Sequence, residues 1–210
     1  MQKINKQNEP VILTTFKQVN PHANYSKLTY AERQAIRQSC TIEQYYLCAY
    51  CCQEITGERI DTINEHMEAQ TVAPNRTLDF NNIVASCRTI GQCDSSHKSQ
   101  IFSLTPLMGE CESELKFKIS GRVEGLTPRA IEAINVLNLG DTEVKNNALI
   151  EKRKQLSLNM LISCGIDHTD MVEDDELLES VAVDLLQPKN GKLEPFAPVV
   201  ANIIRGWITS

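Results

Sequence analysis

Nowhere in this chain do about 18 apolar residues run uninterrupted, so no segment is fit to cross a bilayer as a helix. Residues 1–10 (MQKINKQNEP) are polar and offer no secretory leader, so a cytoplasmic protein is expected. An excess of positive charge is missing as well: Lys+Arg number 21 against 27 Asp+Glu, for a formal net charge of −6. That balance excludes a uniformly basic coat for nucleic acid, and with it the clustered Lys/Arg footprint of a zinc-finger transcription factor. There is no internal repeat and no low-complexity tract. What remains is globular in composition, 210 residues with 41% hydrophobic and 23% charged, enough for one core or two small ones.

The unusual count is eight cysteines: Cys40, Cys48, Cys51, Cys52, Cys87, Cys93, Cys111 and Cys164. Without an export signal, disulfides are a poor reading and metal or catalytic roles a better one. Cys48-Ala49-Tyr50-Cys51 is a CxxC, and Cys87 and Cys93 form a looser pair with five residues between them. A CxxC knuckle can offer two thiolates to one tetrahedral zinc at about 2.3 Å. It also suits a redox pair, but that reading wants a strand-to-helix turn, whereas here a predicted helix precedes the motif and polar loop follows. The two pairs together predict a structural zinc site of Cys48, Cys51, Cys87 and Cys93, closed because four thiolates fill the tetrahedron. Cys40, Cys52, Cys111 and Cys164 read as small buried hydrophobes.

Local patterns predict an α+β, mainly helical protein. Residues 1–28 read as loop. Thr29 and Glu32 have the spacing of a capping box, so a helix starts there, with Ala35, Ile36 and Cys40 facing inward. Thr41 and Gln44 repeat the signal and predict a short second helix before Cys48. Residues 48–100 are rich in Asn, Asp, Ser and Cys, as a metal-organised region would be. After residue 101 the chain changes character. Leu115, Phe117 and Ile119 alternate with lysines as a half-buried strand ending at Gly121. Thr127-Pro128 starts a helix carrying Ile131, Ile134 and Leu137. Asp141 caps a longer one ending near Gly165, Asp170 caps another, and a last helix runs near Pro198 to Trp207. The chain therefore divides into an N-terminal region, 1–100, and a helical bundle, 101–210.

The charge follows that division. Residues 1–100 hold ten Lys/Arg and ten Asp/Glu; residues 101–210 hold 11 and 17. Within the second half, Asp167, Asp170, Glu173, Asp174, Asp175, Glu176, Glu179 and Asp184 are uninterrupted by any Lys or Arg. This is either a solvated helix face, acidic near its N-terminus as the helix dipole favours, or a docking surface for a basic partner.

Chemistry-bearing residues lie among the zinc cysteines. Glu65-His66 and Asn81-Asn82 fall between the two pairs, and Asp94-Ser95-Ser96-His97-Lys98 follows Cys93. Phosphodiester hydrolysis needs a nucleophilic water, a base to deprotonate it and positive charge near the leaving oxygen. Histidine titrates near neutral pH, so His66 is the natural base. Asn82 transfers no proton, but its amide can tie a hairpin loop to His66 and hold the imidazole. His22 and His168 read as structural.

The order His66, Asn82, His97 among four cysteines resembles the HNH (ββα-metal) nucleases. The chain is similar to one subgroup in particular, the HNH proteins of retron and Septu anti-phage systems (PtuB-like). That similarity runs through Met1-Gln-Lys-Ile-Asn-Lys and Glu9-Pro10, Glu43-Gln44, Leu47-Cys48-Ala49-Tyr50-Cys51, Glu65-His66, Leu78 to Ile83, Ser86-Cys87 and Cys93-Asp94. It continues more loosely through Phe117 to Gly121 and Ile134 to Leu139. Two departures stand out: Cys87 and Cys93 are further apart than a CxxC, and His97-Lys98 falls one position late, with Asp94 directly after the cysteine. The resemblance implies a metal-dependent endonuclease acting on DNA or RNA, the effector of a bacterial antiviral defence complex. It implies Mg²⁺ (or Mn²⁺) held by Glu65 and His97, with Asp94 as the alternative third ligand, besides the structural zinc. Lys98 would contact phosphate or stand solvated. The implied partners are a PtuA-like ATPase and a retron reverse transcriptase with its RNA–DNA product, and the acidic second half would dock to them. The rival expectation is a zinc-organised adaptor with no catalysis.

Overall fold

The computed structural model describes residues 1–166 and 174–208. Asp167, His168, Asp170 and Glu173, named above, lie outside them. The described residues form an α+β, mainly helical protein with seven α-helices and two small antiparallel hairpins. None of the helices is long and apolar enough to cross a membrane.

Helix α1 (Val11–Val19) stands where loop was expected. Leu13 and Phe16 lie one turn apart and insert into the core, which holds the turn despite its polar flanks. Helix α2 (Tyr30–Glu43) begins at the Thr29/Glu32 capping box as read. It does not restart at Thr41. It runs on to Glu43, and the chain then turns through Tyr45 and Tyr46, both with left-handed backbone (φ 53° and 64°). Strands β1 (Thr62–His66) and β2 (Ile83–Cys87) pair antiparallel, with Thr62 opposite Cys87 and His66 opposite Ile83. The one-turn helix α3 (Asp94–His97) follows.

In the second half, β3 (Leu115–Phe117) pairs with β4 (Val123–Gly125), stopping short of Ile119. Gly121 makes the turn at φ +83°; a Cβ there would sit 2.1 Å from the carbonyl oxygen of Ile150, so only glycine fits. Helix α4 (Pro128–Leu137) is capped by Thr127, whose side chain accepts from the Ala130 amide. The cap of helix α5 (Glu143–Ser163) is Thr142, one residue beyond the expected Asp141, and the helix backbone breaks at Asn146 (φ −152°, ψ 65°). Helix α6 (Asp175–Leu185) is capped by Asp174, which accepts from the Leu177 amide. Helix α7 (Ala197–Ile208) closes the chain.

The main core crosses residue 100. It includes Met1, Leu13, Ile36, Leu47, Val84, Leu115, Leu137 and Val199. A smaller cluster packs α5, α6 and α7 around Leu161, Leu178 and Ile204. Backbone bonds stitch the halves: Cys93 N–H to Leu137 O at 2.8 Å, Phe196 N–H to Cys52 O at 2.9 Å, Ile4 N–H to Pro106 O at 2.7 Å. The change at residue 101 is one of charge and element type, while the packing is shared.

Gln44 explains why α2 ends where it does. Its side chain is wholly buried and acts as a third strand beside β2. Oε1 accepts from Ala85 N–H at 2.7 Å, and Nε2 donates to Ala85 O and Leu47 O at 2.8 Å each. The Glu43 carboxylate beside it pairs with Lys6 Nζ, which also donates to Ile83 O at 2.9 Å and lies 3.5 Å above the Phe80 ring. The N-terminal arm and α2 are thus pinned to the free edge of β2. Gln44→Leu keeps the volume but orphans the Ala85 amide, a loss of about 1–3 kcal/mol per unsatisfied group. Equilibrium urea unfolding should show a lower midpoint with an unchanged slope; an unmoved midpoint would contradict this role.

Candidate functional site

Three segments converge at the ends of the first hairpin. The knuckle after α2 supplies Cys48 and Cys51, the end of β2 supplies Cys87, and the entry to α3 supplies Cys93. All four are 0–1% exposed, and their sulfurs all lie within 4.8 Å of one another. Cys48 Sγ is 3.9 Å from Cys93 Sγ, and Cys51 Sγ is 4.0 Å from Cys87 Sγ. A tetrahedral zinc with bonds of about 2.3 Å needs sulfurs about 3.8 Å apart, so the spacing fits the ion. None of the four is in a disulfide. Thiol hydrogen bonds from Cys48, Cys51 and Cys93 pull Cys87 down, while burial pushes Cys51 and Cys93 up. The cluster could hold a metal ion such as zinc. Cys40, Cys52 and Cys111 are buried as packing residues, and Cys164 is half-buried.

Beside the sulfurs, β1 ends in Glu65 and His66, 5% exposed each. Glu65 Oε1 faces His97 Nδ1 at 2.5 Å and accepts weakly from the Tyr50 hydroxyl at 3.4 Å. Its carboxyl also contacts that of Asp94. Burial raises Glu65 to about 7, and burial together with Glu65 raises Asp94 to about 8. His97 is fully buried, its ring edge-on to Phe102 at 5.0 Å. Its Nε2 lies 2.7 Å from Gln100 O. A carbonyl only accepts, so Nε2 carries a proton; burial lowers the His97 pKa and favours the neutral ring, so the Glu65 carboxyl donates to Nδ1. Burial of the two carboxyls favours their protonated forms. Among the described residues, however, only the four thiols close into a compact ligand set. Asp94 lines the adjoining cleft, and His97 lies behind Glu65.

His66 is held by Thr77, whose carbonyl oxygen is 2.9 Å from Nε2. That carbonyl too can only accept, so Nε2 carries a proton and Nδ1 is left as the basic atom, 3.4 Å from Gln70 Nε2. Burial lowers the His66 pKa, favouring the neutral ring. The edge of Tyr25 packs on it at 4.8 Å. Asn82 ties the hairpin loop, as expected, but makes no hydrogen bond to the imidazole. Its amide clamps the Glu68 backbone instead, accepting from N–H at 2.8 Å and donating to C=O at 2.9 Å. This pins the strand two residues past His66 because the β1–β2 loop folds back over the hairpin end. Thr77 does the orienting that sequence assigned to Asn82, and a backbone carbonyl leaves no residue-type signal.

Glu65, His66, Asp94 and Lys98 share a cleft of about 580 Å³ with Arg33, Arg37, Arg59 and Arg88. Five cationic side chains thus face two carboxyls in a half that is neutral overall. Arg59, Arg88 and Lys98 are exposed. Arg33 donates to Tyr25 O and Ser26 O, and Arg37 to Gly57 O. The four arginines escaped the sequence reading. The i,i+4 spacing of Arg33 and Arg37 on α2 was a usable signal; Arg59 and Arg88 meet only because the hairpin register brings them together. His22 is exposed and does not line this cleft.

The chain matches no model of a known protein family and no curated protein.

Purified chain should carry about one zinc, and Cys51→Ser or Cys87→Ser should release it and lower the melting temperature. Metal analysis with chelator titration checks this; a metal-free wild type with unchanged melting would contradict it.

Proposed function

We propose that this chain is a metal-dependent endonuclease of the HNH type that hydrolyses phosphodiester bonds in DNA or RNA as effector of an antiviral complex. The observation that carries the reading is the strand–strand–helix unit β1, β2, α3, braced by four thiols, with Glu65, His66 and Asp94 at the floor of a cation-lined cleft. A ββα-metal site needs that order of elements and that mixture of charges.

His66 takes the proton from the attacking water at Nδ1, since Thr77 holds the other nitrogen protonated. Its lowered pKa keeps the base free at neutral pH. Glu65 and Asp94 would hold a hard divalent ion such as Mg²⁺ or Mn²⁺, with the His97 ring against the Glu65 carboxyl from behind. Such an ion would supply positive charge for the phosphate and the leaving oxygen. The fit rests on donor chemistry: two carboxyls, one from β1 and one from the start of α3, line one cleft and offer the hard oxygen ligands that such an ion takes. Asn82 keeps the loop over β1 in register, and Arg59, Arg88 and Lys98 face the nucleic-acid backbone. The whole formal charge of −6 belongs to residues 101–210, which supports docking of that half to basic surfaces of a PtuA-like ATPase or a reverse transcriptase carrying its RNA–DNA product.

His66→Ala should cut Mg²⁺-dependent cleavage of DNA or tRNA by the assembled complex at least about 100-fold while zinc content and melting stay unchanged. Equal cleavage by the two proteins would defeat the catalytic reading. An intact, zinc-loaded complex that cuts neither substrate in either form would leave the adaptor role.

Arg59→Ala and Arg88→Ala should each weaken nucleic-acid binding across sequences and reduce the slope of log affinity against log salt by about 1. Fluorescence anisotropy over a salt series measures both; an unchanged slope in the double variant would remove these arginines from the binding surface.

A further inference from the structure

Gln92 lies inside the long insert between Cys87 and Cys93, and its side chain is 3% exposed. Its Nε2 is 3.7 Å from Cys51 Sγ and 3.6 Å from Cys87 Sγ. Its Oε1 is 3.1 Å from Asn146 Nδ2. An amide has one donor end and one accepting end, and Asn146 Nδ2 only donates, so the Gln92 N–H groups are obliged to face the sulfurs.

Asn146 is itself tied on both sides. Nδ2 also donates to Asn138 O at 2.9 Å, and Oδ1 accepts from Leu149 N–H at 3.2 Å. The break in α5 at this residue places its side chain as a cap for the helical run that follows. The residues on either side of Gln92 are held from the same half of the chain. Asn138 Nδ2 donates to Gly91 O at 2.7 Å, and Cys93 N–H donates to Leu137 O at 2.8 Å. Three successive residues at the fourth thiol are therefore gripped by α4, α5 and the loop between them.

We propose that Gln92, oriented by Asn146, is a positioning residue of the thiolate metal centre, so that its metal affinity depends on the second half of the chain. The inference rests on the reading of the four cysteines as a metal site. Four thiolates around a dication leave two net negative charges in a buried site. N–H donors aimed at sulfur disperse that charge, and such outer partners typically govern metal affinity. A side chain chosen only for packing would not need its donor end held toward two sulfurs.

The test uses the full chain with Zn²⁺ and Co²⁺. Zinc affinity is read by competition with a chromogenic chelator, and the sulfur-to-cobalt charge-transfer band reports the thiolate environment. Gln92→Leu should lower zinc affinity roughly 10–100-fold and shift the cobalt band. Gln92→Glu keeps the contact to Asn146 but turns a carboxylate toward the sulfurs, so its loss should be larger. Asn146→Ala should act in the same direction more weakly, and combined with Gln92→Leu should add less than its separate effect, because both work through one amide. Gln92→Glu that folds and binds zinc within twofold of wild type, with an unshifted band, overturns the proposal; so does full additivity in the double variant. A wild-type chain that binds neither ion overturns the metal reading and this inference together.

Discussion

The knuckle, the end of β2 and the entry to α3 are tied to one another by four sulfurs brought within a single ion's reach. A polar segment of some fifty residues, poor in helical periodicity, has little apolar surface with which to define itself. Convergent thiols that could hold a metal ion such as zinc offer the missing constraint, because a tetrahedral ion accepts ligands only at fixed separations. Cys48 and Cys51 anchor the knuckle, Cys87 the last residue of β2, and Cys93 the entry to α3. With those points fixed, the ladder from Thr62–Cys87 to His66–Ile83 determines where β1 ends. Glu65 is then delivered opposite Asp94 and His97, and His66 against the Thr77 carbonyl. The candidate chemistry is a consequence of the sulfur geometry rather than a neighbour of it.

Charge obeys a similar local logic. A net charge of −6 says little about a cleft of about 580 Å³ in which four arginines and a lysine surround two carboxyls. The sum hides the distribution because the cations come from three separate stretches: α2, the approach to β1, and the segment after β2. Focusing in a concave site raises the local potential well above what net charge implies. The acids of the second half are spread over helices instead, where one of them, Glu179, is already engaged by Arg205 at 2.9 Å.

What could be read from the sequence was whatever depends on near neighbours. The capping box at Thr29 and Glu32, the Thr127-Pro128 start and the pairing of two cysteine doublets all rest on short spacings, and each stands in the structure as read. What escaped depends on distant partners. Gln44 looked like a helix cap and instead braces Ala85, 41 positions away. Asn82 looked like the holder of an imidazole and holds a backbone, while the imidazole rests on Thr77 O, which no side-chain pattern betrays. Helix α1 was invisible because only Leu13 and Phe16 bury, too few to mark a period. The division near residue 100 was legible as a change in charge, yet the main core runs through it, since composition tracks the surface and packing tracks the inside.

That shared packing gives the long Cys87–Cys93 spacing a physical reason. A CxxC at this point would set both thiols by its own tight turn and leave nothing projecting beyond it. The longer insert carries the chain out to Asn138 and back, so that Gly91, Gln92 and Cys93 each find a partner in the second half. The fourth thiol is consequently positioned by helices α4 and α5 and not by local turn geometry alone. A force applied to those helices, by a docked protein for instance, acts on the same residues that present Cys93 and lead into α3, and α3 is the element that carries Asp94 and His97. The departure from the usual spacing is thus the point at which the acidic half and the candidate catalytic groups are mechanically one structure.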